Sequence, residues 1–88
     1  MASSDYRILI KPSAVKELEA IPLKKERQQV AARIGDLAAD PRPRGCEKLT
    51  AQERYRVRQG QYRIIYSVDD GEQAVTVVKI GHRKDVYR

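Results

Sequence analysis

The segment at positions 40–45 constrains the fold most, because it separates two halves of the chain that have different hydrophobic periods. It reads Asp40-Pro41-Arg42-Pro43-Arg44-Gly45, and two prolines with a glycine interrupt regular structure. Before it, apolar residues recur at the three- and four-residue intervals of helices. After it, they alternate with polar residues, as in strands that are buried on one face. We therefore predict a single domain over residues 1–88, with its helices before this segment and most of its strands after it.

The first half is predicted to contain one short strand and two helices. The strand covers residues 6–10 and stops at Pro12, because proline donates no backbone hydrogen bond. The first helix starts at Ser13 and ends before Pro22, and the second covers residues 23–39. Their apolar faces consist of Ala14, Leu18 and Ile21 in the first helix and Val30, Ile34, Leu37 and Ala38 in the second. Two helices joined by so short a turn form a helical hairpin.

The second half is predicted to form three further strands. They cover residues 55–59, 61–68 and 74–80, and residues 46–50 are a further extended segment. The fold class is α+β, with the element order β-α-α-β-β-β. A helical hairpin is expected to pack on one face of a small antiparallel sheet.

Three arginines are predicted to share one face of this sheet. If Gln59-Gly60 is a two-residue loop, Arg56 lies directly opposite Arg63, and Arg58 shares their face. The other face is apolar and contains Tyr55, Val57, Tyr62, Ile64 and Tyr66. Like charges opposite each other are unfavourable in a sheet, and a bound phosphate would remove the conflict. The alternative is that the arginines extend into water, at a cost of roughly a few tenths of a kcal/mol.

The tail, Gly81-His82-Arg83-Lys84-Asp85-Val86-Tyr87, adds groups that can act on an RNA backbone. The imidazole of a histidine such as His82 can gain or lose a proton near neutral pH, and Tyr87 can stack on a base or take a proton. The alternatives are a solvated histidine and a packing tyrosine. Cleavage of RNA needs a proton acceptor, a proton donor and stabilisation of the phosphate charge. No cluster of Asp, Glu, His and Cys suggests a metal, so we expect no metal ion and no cofactor.

The charge of the chain is uneven. The net charge is +6, and residues 42–88 hold eight arginines, three lysines and six acidic residues, which gives +5. Such a half indicates nucleic acid, a ribosome surface or an acidic protein as partner, although a basic surface without a specific ligand is the alternative. A single cysteine and the absence of a secretory signal or a long apolar run predict a cytoplasmic protein without a membrane partner.

Two motifs carry a resemblance to a known family. Tyr55-Arg56-Val57-Arg58 with Gly60-Gln61-Tyr62-Arg63-Ile64-Ile65-Tyr66, and the tail from Gly81 to Tyr87, resemble the RelE branch of the RelE/ParE toxin superfamily. The likeness extends from Tyr6 to Tyr87. It implies a toxin of a type II toxin-antitoxin system that inhibits translation as a ribosome-dependent mRNA endoribonuclease. It also implies metal-independent attack by the 2′-hydroxyl on codons in the ribosomal A site, and a RelB-like acidic antitoxin that folds on binding.

The resemblance also implies roles for individual residues. Arg56 and Arg58 match basic residues that stabilise the transition state, and Arg63 matches an arginine that holds the scissile phosphate. Arg83 matches an arginine assigned to charge stabilisation or protonation of the leaving group, and Tyr87 matches a tyrosine that stacks on or orients the base. With His82, these residues form the predicted catalytic set. Further RNA contacts are predicted for Lys48, Arg54 and Lys84.

One departure from the family pattern affects the mechanism. The best-studied relatives carry lysines where this chain has Arg56 and Arg58, and arginine stays protonated at any working pH. Proton transfer is therefore assigned to His82 or Tyr87. Two other functions remain open, a ParE-like inhibitor of DNA gyrase and a catalytically degenerate member that only binds RNA or antitoxin.

Overall fold

The computed structural model describes residues 5–49 and 53–84. Its elements in chain order are β1 (Arg7–Ile10), α1 (Pro12–Glu19), α2 (Lys24–Asp36), β2 (Glu47–Leu49), β3 (Arg54–Gln59), β4 (Tyr62–Asp69) and β5 (Ala74–His82). The predicted α+β class is confirmed, with two helices packed on one sheet. The second helix ends before the predicted residue 39, and β5 extends two residues beyond its predicted end.

The sheet has five strands in the order β1-β5-β4-β3-β2. The extended segment predicted at residues 46–50 is the edge strand β2, which pairs with β3. The pairs β2–β3, β3–β4 and β4–β5 are antiparallel, whereas β1 runs parallel to β5. The sheet is therefore mixed rather than wholly antiparallel. The parallel neighbours β1 and β5 are the first and last strands of the chain, so no tight hairpin has to join them.

The hydrophobic core lies between the helices and one face of the sheet. The helices, the turn that joins them and the residue that follows α2 contribute Ala14, Ile21, Val30, Ile34 and Leu37. The strands contribute Val57, Ile64, Tyr66, Val75, Val77 and Ile80. The core residues of each helix recur at intervals of three, four or seven, as the sequence predicts. None of the helices in the described ranges is long and apolar enough to cross a membrane.

The hairpin between β3 and β4 has a different register from the predicted one. The loop is Gly60-Gln61, with Gly60 at a φ of +61°, so a glycine occupies the first loop position as a type II′ turn requires. Arg58 therefore lies opposite Arg63, and Arg56 lies opposite Ile65. The predicted pairing of Arg56 with Arg63 is wrong. The pairing differs from the prediction by two residues, so every side chain keeps its predicted face.

An irregularity in β5 changes which face its last residues occupy. Ile65 pairs with Lys79 and Tyr66 with Val77, which leaves Val78 as an extra residue. Val75 and Val77 face the core before this bulge, and Ile80 faces it afterwards. Without the extra residue, strict alternation would turn position 80 away from the core.

Candidate functional site

The face of the sheet opposite the helices contains Arg56, Arg58 and Arg63, and we call it the arginine face. The alternation of β3 and β4 places these residues away from Val57 and Ile64, which are buried against the helices. Arg58 is exposed and faces Arg63 across the hairpin. The like-charge pair inferred from the sequence thus exists, but it involves Arg58 instead of Arg56.

Arg63 is a buried cation. Its residue is only 7% exposed, and its Nε has no hydrogen-bond partner within the described residues. Its Nη1 donates a long hydrogen bond of 3.4 Å to the carbonyl of Tyr62. A buried charged donor without an acceptor is costly, and an anion bound beside it would supply the missing acceptor. Arg63 pairs with Gly81 on the other side, where β5 presents no side chain that would compete for this space.

Arg56 is joined to a carboxylate that the sequence analysis did not single out. Its Nε and Nη2 donate to Oε1 of Glu47 at 3.1 and 2.6 Å, and the two residues are cross-strand partners. The Arg56 guanidinium, with smaller contributions from Arg58 and Arg63, holds the pKa of Glu47 below its usual value. The sequence analysis could not find this contact because Glu47 and Arg56 are nine residues apart, and only the pairing of β2 with β3 brings them together.

Arg83 follows the last residue of β5 and lies at the end of the sheet that contains the β3–β4 hairpin loop. Its backbone N–H donates to the carbonyl of Gln61 at 2.7 Å, which extends the β4–β5 ladder by one residue. Arg83 is exposed and lies in the turn that follows β5. The structure therefore brings Arg58 and Arg63 together on one face and places the backbone of Arg83 at the same end of the sheet.

His82 lies on the other face, next to the helices. It pairs with Tyr62, and the two rings meet edge to face with their centroids 5.7 Å apart. Both rings line a cavity of about 310 Å³, together with Glu17, Ile21 and Lys79. The sheet therefore separates His82 from the predicted arginines. Burial raises the pKa of Tyr62, so its hydroxyl stays neutral at working pH.

The remaining predicted site residues are dispersed. Arg54 is half-buried on the arginine face, opposite Leu49 of β2. Lys48 is exposed and pairs with Tyr55, so it lies on the face of the sheet against which the helices pack. Lys84 is exposed, and its backbone N–H donates to Nδ1 of His82 at 3.3 Å. Tyr87 lies outside the described residues, which also contain no group of three or more His, Cys, Asp and Glu that could hold a metal ion.

Comparison with known proteins assigns the chain to a family along nearly its whole length. A family model described as the ParE toxin of the type II toxin-antitoxin system parDE matches residues 8–87. Toxin RelG of Mycobacterium tuberculosis is 29% identical over 84 residues, which cover 94% of this chain and 97% of that protein. Toxin RelE of the same organism is 30% identical over 84 residues, which cover 94% and 87% of the two chains.

Solved structures of similar fold include toxins bound to their antitoxins. The toxin-antitoxin complex RelBE2 of M. tuberculosis matches with a TM-score of 0.79 and 26% identity, over 92% of this chain and 94% of the matched one. The archaeal RelE–RelB complex of Pyrococcus horikoshii OT3 matches with a TM-score of 0.77 and 29% identity, over 92% and 98%. Each of these structures shares the fold described above over more than nine-tenths of the chain.

Proposed function

We propose that this chain, which belongs to the ParE toxin family of type II toxin-antitoxin systems and is of the RelE type, is a ribosome-dependent mRNA endoribonuclease. It cuts codons in the A site and thereby stops translation. The buried Nε of Arg63, which has no hydrogen-bond partner among residues 5–49 and 53–84, is the observation that carries this proposal. Arg63 lies opposite Arg58, and Arg83 is two residues beyond Gly81, the partner of Arg63 on β5. Under the proposed function, all three guanidinium groups surround one phosphate.

The proposed chemistry is attack by the 2′-hydroxyl of the RNA on the adjacent phosphate. The O2′–P bond forms, the P–O5′ bond breaks, and the products carry a 2′,3′-cyclic phosphate and a 5′-hydroxyl. Arg63 holds the phosphate, since its position is fixed by the sheet and a guanidinium donates two parallel hydrogen bonds to an anion. Arg58 and Arg56 stabilise the negative charge of the transition state, and Arg83 stabilises the leaving oxygen. Tyr87 stacks on or orients the base.

The proposed partners are the ribosome, its mRNA and an antitoxin. The similar P. horikoshii structure is a RelE–RelB complex, and the similar M. tuberculosis structure is the toxin-antitoxin complex RelBE2. An acidic, RelB-like segment would complement the net charge of +6. It would also cover the sheet face over which no helix of the described residues lies. The protein is expected to act in the cytoplasm, where translation occurs.

The first test adds the purified chain to a translating extract and maps new 5′ ends, with ribosome-free RNA alongside. We expect cuts inside codons on translated messages only. Arg63→Gln should lower the cleavage rate about a hundredfold or more, because it removes a donor aimed at the developing charge. Arg7→Gln is the matched control, since Arg7 is exposed on β1. No cuts by the folded wild-type protein would contradict the nuclease proposal.

A ParE-like inhibitor of DNA gyrase is the second candidate, because the matching family model is described by the ParE toxin. A gyrase supercoiling assay separates the two functions. Inhibition of supercoiling together with intact mRNA would favour the gyrase inhibitor, and binding of RNA without cleavage would indicate a catalytically inactive member.

A further inference from the structure

The proposed reaction needs a proton acceptor, and the arginine face presents one beside its cations. Arg56, Arg58 and Arg63 stay protonated at working pH and cannot take the proton of a 2′-hydroxyl. His82 lies on the opposite side of the sheet, against Tyr62. Glu47, in contrast, accepts two hydrogen bonds from Arg56, one of the residues of the arginine face.

We infer that Glu47 is the general base of the cleavage reaction, and that its pairing with Arg56 restrains it until the RNA phosphate binds. This inference rests on the proposed nuclease function. It assigns a role to a residue that the resemblance to the RelE branch did not indicate.

The geometry of the pair supports this role. Both hydrogen bonds from Arg56 converge on one oxygen, Oε1 of Glu47. The Glu47 side chain is 50% exposed on the edge strand β2, whereas the Arg56 side chain is only 16% exposed. The arginine is thus the fixed partner, and the carboxylate is the one that a substrate can reach. A phosphate is itself a good acceptor for guanidinium groups, so it competes with Glu47 for Arg56.

The charges around Glu47 explain why substrate binding would activate it. The groups that face it are Arg56 and Arg58 from β3 and Arg63 from β4, and all three lower its pKa in the free protein. A low pKa makes a carboxylate a weak base. The phosphate neutralises these cations and adds a nearby negative charge, and both effects raise the pKa of Glu47 toward or above its usual value. The base therefore strengthens when the substrate is in place.

Water completes the proton balance of the cleavage step. The 2′-hydroxyl gives its proton to the Glu47 carboxylate as O2′ forms its bond to phosphorus. The 5′-oxygen leaves with the electron pair of the broken bond and takes a proton from water. Glu47 then returns its proton to the solvent, so no oxidant, metal or other co-reactant is needed.

The test is single-turnover cleavage on programmed ribosomes as a function of pH, with the protein in excess. Glu47→Gln should cut at least about a hundredfold more slowly than wild type, while its affinity for a short RNA is retained or increased. The wild-type rate should fall at acid pH, and the residual rate of Glu47→Gln should lack this fall. Arg56→Gln should move the acid fall to higher pH when the rate is measured at subsaturating protein, which reports the free enzyme, because it removes the main cause of the low pKa.

Two further variants control for folding and for charge. Glu47→Asp retains a carboxylate and should recover part of the rate together with the acid fall. Glu72→Gln removes an exposed negative charge in the turn between β4 and β5, and it should cut like wild type. A Glu47→Gln protein that cuts within about twofold of wild type, with the same pH profile, would overturn the inference while the nuclease function stands. Failure of the wild type itself to cut would overturn both.

Discussion

Arg63 lies near the hairpin end of the central strand β4, at a buried position where stability alone would favour an apolar side chain. It is 7% exposed, and its Nε has no hydrogen-bond partner in the described part of the chain. The folded state therefore bears a desolvation cost that no hydrogen bond to this atom offsets. The neighbouring Arg58 adds like-charge repulsion across the hairpin. Costs of this kind concentrate at functional sites, where a ligand offsets them.

His82 provides a test at the level of a single residue. The sequence predicts that it transfers a proton, whereas the structure places it on the face opposite the arginines. Since the ring packs against Tyr62 on the helix side, we expect His82→Ala to leave the pH profile of single-turnover cleavage unchanged. The variant should lose stability by about 0.5–1.5 kcal/mol through the lost ring contact. Urea unfolding and the cleavage profile measure the two effects. Loss of a titration step near neutral pH would instead restore His82 as a proton-transfer group.

At the scale of elements, one polar cluster holds together segments that are far apart in the sequence. Arg42, in the loop after α2, donates from Nη1 and Nη2 to the carboxylate of Asp70 at 3.1 and 3.0 Å. Asp70 lies in the β4–β5 turn and also accepts a hydrogen bond of 2.6 Å from the hydroxyl of Tyr6, just before β1. Arg42 further donates to the hydroxyl of Tyr55 and lies over its ring. The cluster thus ties the helix-to-sheet loop to β1, β3 and a turn.

This cluster predicts how stability depends on pH. The Arg42 guanidinium and the Tyr6 hydroxyl lower the pKa of Asp70 in the folded state. Its stabilising contribution is therefore complete above the unfolded pKa of about 3.9, and it is lost as the pH falls through the folded value. Asp70→Asn should be less stable than wild type at pH 7, and the gap in urea midpoint should close as the pH approaches 2.

The control for that measurement is Glu72→Gln, an exposed carboxylate in the same turn. Its urea midpoint should differ little from wild type at both pH values. A gap between Asp70→Asn and wild type that stays constant from pH 7 to pH 2 would show that Asp70 contributes through something other than its ionised carboxylate.

At the scale of the whole molecule, charge and shape act together. The helices cover one face of the sheet and bury the core, so the opposite face is left to the arginines. The net charge of +6 then favours association with any polyanion, and under the proposed function the guanidinium groups of the arginine face select where the RNA phosphates bind.

This division of roles predicts the salt dependence of RNA binding. Affinity for a short single-stranded RNA should fall linearly with salt on logarithmic axes, and Arg58→Gln should reduce the slope by about 0.7, the value for one phosphate contact. Lys25→Gln removes an equal charge from the exposed side of α2 and should leave the slope unchanged. Fluorescence anisotropy titrations at several salt concentrations measure both. Equal slopes for the two variants would mean that only the net charge matters.

The sequence by itself determined the types and order of the elements and the face on which Arg56, Arg58 and Arg63 lie. Both depend on local periods, 3.6 residues for a helix and two for a strand, and a register shift of two residues leaves the faces unchanged. The tertiary structure decided that Gly60 starts the hairpin loop, that Glu47 meets Arg56, and that the bulge in β5 directs His82 toward the helices. These features depend on hydrogen bonds between separate strands, and no local pattern in one strand specifies its partner.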